Sequence, residues 1–284
     1  MAQDGPLVST DWLAEHLEAP DIRIVDASWH MPDTGRDARA EYREAHVPGA
    51  VFFDIDDIAD TDSSLPHMVP SPEKFASRVR KLGLGDGNRI IVYDTGGVHP
   101  AARVWWMFRL FGSRDVAVLD GGLRKWRAEG RPLDDLPPVP RERHFTARLQ
   151  VPLIRDRHQV LRHVERGDAQ IADTRPADRF DGSQPEPREG VRAGHMPGAK
   201  NLPFDRLFNP DGTYKTGAAL KAELDSAGID PSRPLVTSCG SGVTACCLAL
   251  SLATLGARDV AVYDGSWTDW GSHGDLPVEQ GSAA

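Results

Sequence analysis

Of the three cysteines in this chain, one stands in a setting that could use a nucleophile. In Leu235-Val-Thr-Ser-Cys239-Gly-Ser-Gly-Val-Thr-Ala245, Cys239 follows a strand-like run, Gly240 and Gly242 flank Ser241, and a helical pattern begins near Val243. Such a loop aims several backbone N–H groups and a helix N-terminus at the sulfur, which holds an anion and keeps a thiolate available near neutral pH. A thiolate attacks electrophilic sulfur. The plainer reading of an isolated cysteine is a small buried residue at a strand end. The glycines on both sides of Ser241 favour the reactive reading. Cys246 and Cys247 lie within an apolar helical run and read as packing residues.

Spacing separates this loop from other chemistries. A phosphatase-like C-x5-R loop would place arginine at 245, where the chain has Ala245. A serine-hydrolase elbow would need glycine two residues before Ser241, where Cys239 stands. The sequence contains no C-x-x-C pair or Cys/His cluster with zinc spacing, so no metal is expected. It also lacks a Walker A or G-x-G-x-x-G fingerprint after a strand. No cofactor is therefore expected. A formal charge of -9, from 42 acidic against 33 basic residues, weighs against nucleic acid as a partner. Three cysteines cannot build a disulfide framework, which suits a reducing, cytoplasmic setting. Met1-Ala-Gln-Asp-Gly-Pro6 has neither a basic n-region nor an apolar h-region, and Ala245 to Gly256 is too short to span a bilayer. No membrane association is expected.

The elements that must carry the loop follow from a duplication. Gly112-Ser-Arg-Asp-Val-Ala-Val-Leu-Asp-Gly121 returns as Gly256-Ala-Arg-Asp-Val-Ala-Val-Tyr-Asp-Gly265, eight of ten positions being identical. The same offset of 144 sets Trp126 on Trp270, Ala101 on Ala245 and Thr95 on Cys239. Upstream, Ile22 to Ala27 matches Gln170 to Thr174, and His46-Val-Pro-Gly-Ala50 matches His195-Met-Pro-Gly-Ala199. The shared position assigns His46 and His195 to turn structure. Each half alternates short β-rich runs, such as Ile90 to Tyr93 and Leu235 to Thr237, with helical patterns. That order predicts an α/β fold of two tandem domains, each a mostly parallel sheet flanked by helices. Ser71-Pro72-Glu73 predicts a helix running to Lys81. Trp105 and Trp106 lie in an apolar helical run and read as core. A proline-rich stretch without apolar period places a linker at 134–152, between a cysteine-free domain at 1–133 and a catalytic domain at 153–284.

The H-x-P-G-A segments, the Asp120-Gly-Gly and Asp264-Gly-Ser segments before a tryptophan, and the loop Cys239-Gly-Ser-Gly-Val-Thr244 together resemble the rhodanese superfamily over nearly the whole chain. With Val25-Asp-Ala-Ser-Trp29 and Phe52-Phe-Asp-Ile-Asp56, the loop is similar to that of its 3-mercaptopyruvate sulfurtransferase branch. Thiosulfate-using members usually carry C-R-K-G-V-T where this chain has Gly240 and Ser241. The resemblance implies two rhodanese-like domains. It also implies transfer of sulfane sulfur from 3-mercaptopyruvate to a Cys239 persulfide with release of pyruvate. The sulfur then passes to cyanide or to a thiol acceptor, either a small thiol or a thioredoxin-like protein.

It further implies a division of labour at the site. Arg179 and Arg188 match the family's substrate arginines, and planar guanidinium forks suit a carboxylate and its neighbouring keto oxygen; without the match they read as surface charge. Gly240, Gly242, Val243 and Thr244 complete the substrate loop. Ser241, His67 and Asp56 resemble a relay that protonates the leaving enolate, with first-domain side chains serving a second-domain cysteine at a domain interface. Taken alone, Asp56 reads equally well as a solvated cap and His67 as a structural histidine. Thiosulfate:cyanide transfer is the competing activity within the same chemistry. From another class comes a regulatory binding module, since the first half lacks the cysteine.

Overall fold

The computed structural model describes residues 5–281. They form two compact units, each including a short segment from elsewhere in the chain. One runs to Thr61, resumes at Val69–Gln150 and includes Asn209–Tyr214; the other comprises Asp62–Met68, Val151–Phe208 and the chain from Lys215 on.

In the first unit, strands β1 (Leu7–Val8), β2 (Ile22–Asp26), β3 (Val51–Phe52), β4 (Arg89–Tyr93) and β5 (Val116–Leu119) form a sheet in the order β1-β5-β4-β2-β3. All its ladders are parallel, with Ile24 opposite Ile91 and Ile91 opposite Ala117. Parallel neighbours need crossovers, and helices α1 (Thr10–Glu15), α2 (Ala38–Glu44), α3 (Pro72–Lys81), α4 (Ala101–Leu110) and α5 (Gly122–Ala128) accompany them. The predicted start of α3 is present: the Ser71 hydroxyl accepts from the Lys74 N–H at 3.2 Å, and Pro72 occupies the first turn. The central strands are apolar because both faces are covered. Tyr93, Trp126 and Ile91 are buried at their centre, and Trp105 and Trp106 are core residues of α4.

The second unit repeats the plan with β6 (Ile154–Arg155), β7 (Gln170–Asp173), β8 (Lys200–Asn201), β9 (Leu235–Ser238) and β10 (Val260–Tyr263), in the order β6-β10-β9-β7-β8. These ladders are parallel too. Its helices are α6 (Arg157–Arg166), α7 (Ala177–Phe180), α8 (Gly217–Ser226), α9 (Ala245–Thr254) and α10 (Ser266–Ser272). Trp267, Trp270 and Tyr263 anchor the core. The duplication extends to single hydrogen bonds. Trp126 Nε1 donates to the Pro132 carbonyl at 2.7 Å and Trp270 Nε1 to that of Pro277 at 2.9 Å. His46 bridges Asp134 as His195 bridges Glu279, and both rings are buried, consistent with the turn role.

The stretch 134–152 contains no regular helix or strand beyond a single bridge and one short 3-10 turn, but it is not free chain. Phe145 is buried against the Phe75 and Phe108 rings, and Arg148 and Gln150 donate to the carbonyls of Phe111 and Leu110. Through Gln150 it belongs to the first unit.

Candidate functional site

Cys239 sits at the carboxyl end of β9, only 2% exposed, which is where open α/β sheets bind ligands. Its N–H donates to Ser266 Oγ at 3.2 Å, and that hydroxyl donates to the Tyr263 carbonyl at 2.8 Å. Ser266 adopts φ +50° where the repeat has Gly122 at +56°. A serine there is strained by about 1 kcal/mol or more, and it brings a hydroxyl that glycine could not supply. Gly242, at φ +78°, turns its N–H onto Cys239 Sγ at 3.1 Å. That is one amide on the sulfur among the described residues, where the loop sequence suggests several. Val243 is buried, and Thr244 precedes α9 with its hydroxyl hydrogen-bonded to Thr174 Oγ1 at 3.0 Å. Cys246 and Cys247 are fully buried in α9, as packing residues would be.

Both predicted arginines converge on Gly240. A methyl group there would lie 3.4 Å from Arg179 Nη2 and 3.9 Å from Arg188 Nη1. Arg188 donates to Thr268 Oγ1 at 3.3 Å, and that hydroxyl donates to the Gly240 carbonyl at 2.6 Å. Burial, and then the charge of Arg179, pull the Arg188 guanidinium below its ordinary value. Two crowded, partly desolvated cations beside a thiol form an anion cradle. Arg188 and Thr268 also line a pocket of about 660 Å³, whose lining includes Ser63, Ser64 and Pro66.

Next to Pro66 in the chain stands His67, whose Nδ1 shares a 3.1 Å hydrogen bond with Ser241 Oγ across 174 residues of sequence. His67 is buried and left-handed at φ +58°, a conformation uncommon for residues other than glycine. The structure thus brings Cys239, Ser241, His67, Arg179 and Arg188 into one unit. Asp56 belongs to the other unit, where its carboxylate accepts from Trp29 Nε1 at 2.8 Å.

The sequence reading missed the group that holds Arg179. Arg175, 1% exposed, donates three times to the Asp173 carboxylate at 2.8, 2.9 and 3.2 Å, once to Glu186 at 2.7 Å, and to the Gly194 carbonyl at 2.8 Å. Its guanidinium also stacks 4.4 Å over the Trp267 ring. Burial opposes its charge, but Asp173 and Glu186 hold the guanidinium above its ordinary value. Glu186, 2% exposed, reaches on to Arg179 through both carboxylate oxygens. A signal existed in the repeat: Asp173-Thr-Arg175 stands where the first half has Asp26-Ala-Ser28, so an arginine replaces serine beside a buried aspartate.

The first unit shows the same loop disarmed. Thr95 replaces the cysteine, and Asp94, where the repeat has Ser238, takes the Gly96 and Ala101 N–H groups on its carboxylate at 2.8 and 3.0 Å. An internal anion occupies the amides of that loop.

Comparisons with known proteins agree with this geometry. The model of the rhodanese-like domain matches twice, at residues 9–129 and 156–273. The chain is 43% identical over 273 residues to the 3-mercaptopyruvate sulfurtransferase of Escherichia coli (strain K12), covering 96% of this chain and 97% of that protein. It is 44% identical over 271 residues to the thiosulfate sulfurtransferase of Cricetulus griseus, covering 93% and 91%. Among solved structures, SseA from Escherichia coli superposes with a TM-score of 0.86 at 41% identity, over 93% of this chain and 99% of that one. With two matched domains and a loop cysteine in the second alone, the chain belongs to the rhodanese family.

Proposed function

We propose that this chain is a sulfurtransferase that takes sulfane sulfur from 3-mercaptopyruvate and hands it to a thiol or to cyanide. The carrying observation is the meeting of Cys239 Sγ, the Gly242 N–H, two arginines at Gly240 and the Ser241–His67 hydrogen bond. Arg179 and Arg188 hold the donor carboxylate and keto oxygen. The Cys239 thiolate attacks the donor's sulfur; an S–S bond forms, the carbon–sulfur bond breaks, and its electron pair leaves in the enolate of pyruvate. Ser241, oriented by His67, supplies a hydrogen bond to that enolate, which takes up a proton to become pyruvate. The acceptor thiolate then attacks the outer sulfur of the persulfide and regenerates the Cys239 thiolate. All three cysteines are free thiols, which suits work in a reducing compartment such as the cytoplasm. No helix among the described residues is long and apolar enough to cross a membrane.

The name of the Cricetulus griseus relative keeps thiosulfate as the competing donor. The test is steady-state kinetics with both donors on the wild type and on Cys239→Ser, with mass spectrometry after donor treatment. One added sulfur on wild-type Cys239, no activity in the variant and a higher specificity constant for mercaptopyruvate are expected. Retained activity in Cys239→Ser would overturn the cysteine's role, and a preference for thiosulfate would overturn the donor.

A further inference from the structure

We propose that Glu186 is a specificity-determining residue: it cancels one of the cradle's two positive charges and so favours a monoanionic donor over a dianionic one. The inference rests on the donor reading above and extends it to a residue in contact with Arg175 and Arg179.

The charges can be followed one by one. Three guanidinium groups stand in the cluster, those of Arg175, Arg179 and Arg188. Two of its carboxylates belong to Asp173 and Glu186. Arg175 is matched by Asp173 at its back. Glu186 bridges forward to Arg179, which faces Gly240. Arg188 makes no ion pair among the described residues; its hydrogen bond goes to the neutral Thr268. Counting these guanidinium and carboxylate groups alone, one positive charge of the cradle is left without a carboxylate, and the Cys239 thiolate it faces is the nucleophile common to both donors. 3-Mercaptopyruvate carries one negative charge at its carboxylate, and thiosulfate carries two in a compact ion. A singly positive cradle matches the first and leaves the second half neutralised on entering a largely buried site. The loop offers no further cation, since Gly240 and Ser241 carry none.

Glu186 also has a geometric role, because its two oxygens hold the Arg179 fork in place. Charge and position separate by substitution. Glu186→Gln removes the negative charge and keeps the length. Glu186→Asp keeps the charge and is too short to reach both guanidinium groups. Arg179→Gln removes a positive charge and moves the balance the opposite way, which covers the case in which Glu186→Gln does not fold.

The experiment measures kcat/KM for thiosulfate and for mercaptopyruvate in the wild type and the three variants. The thiosulfate-to-mercaptopyruvate ratio is expected to rise in Glu186→Gln by on the order of tenfold or more, the effect of one added charge at short range. It is expected to fall in Arg179→Gln. In Glu186→Asp both donors lose, with the ratio held to within about twofold, since Coulomb interactions follow the retained charge. A ratio unmoved in Glu186→Gln, or moved equally in Glu186→Asp, overturns the inference. A second measurement needs no turnover: protection of Cys239 from iodoacetamide by sulfate and by pyruvate. Sulfate is expected to gain on pyruvate in Glu186→Gln, and no gain refutes the charge argument. If wild-type Cys239 gains no sulfur from mercaptopyruvate, the donor reading fails, while the protection assay still decides the role of Glu186.

Discussion

Replacing Arg175 by methionine is the most demanding test of how the cradle is held. Methionine has similar reach and no charge, so the change removes a guanidinium that is 1% exposed and leaves Asp173, 0% exposed, and Glu186, 2% exposed, without it. Glu186 keeps Arg179, but Asp173 loses the cation that donates to both its oxygens. Breaking a buried pair from one side costs about 3–5 kcal/mol, because the remaining charge stays desolvated. The lost stacking on Trp267 adds to this. For a unit of this size each kcal/mol moves the melting midpoint by about 3–5 °C, so a fall of roughly 10–20 °C is expected. Thermal melts followed by circular dichroism would measure it, with Trp267 contributing a fluorescence probe beside the substitution. Arg175→Lys, which keeps the charge but not the fork, is expected to fall between the two. A midpoint within about 2 °C of wild type, under 1 kcal/mol on the same scale, would refute the claim that this ion-pair cluster holds the site.

Two further outcomes follow from groups already placed. Arg188→Lys keeps a charge but loses the planar two-point grip, so single-turnover persulfide formation should weaken by about 1.5–3 kcal/mol; equal damage to the acceptor half-reaction would count against a carboxylate-binding role. Burial raises the Asp120 carboxyl above its ordinary value, although the Tyr214 N–H donates to it at 2.7 Å. Its folded value thus exceeds its unfolded one, so its stabilising contribution is full in acid and is lost as pH rises through the folded value. Asp120→Asn is therefore expected to gain stability relative to wild type as pH rises above the ordinary carboxylate value of about 4; denaturant titrations showing a constant difference would refute the argument.

What could be read from the chain alone was what local chemistry dictates. Cys239, Ser241 and Gly242 share one short loop, and the left-handed turn at Gly242 is a conformation glycine takes without strain. The repeat was visible because eight of ten consecutive positions return, and the strands and α3 follow from β-branched runs and a serine cap. The arginines became legible through resemblance rather than spacing. What stayed hidden was long-range. Glu186 lies 11 residues from Arg175 in a loop with no period, and nothing in its neighbours marks it as buried. His67 meets Ser241 only because the segment Asp62–Met68 leaves its own half. Asp94, which takes the amides of the first loop, reads in sequence as an ordinary residue at a strand end.

That exchanged segment has a consequence for how the protein comes into being. Asp62–Met68 emerges from the ribosome early, but the chain it packs with begins at Val151 and includes Ser241. At about 5–20 residues per second, the 174 residues between His67 and Ser241 take on the order of ten seconds or more to synthesise. The first unit is itself incomplete until Asn209–Tyr214 arrives. Neither half of the gene therefore encodes a finished half of the protein, and the entropy of closing so long a loop is met only once nearly all of the chain exists. The two repeats can be read apart in the sequence, but the protein they encode must be made as one piece.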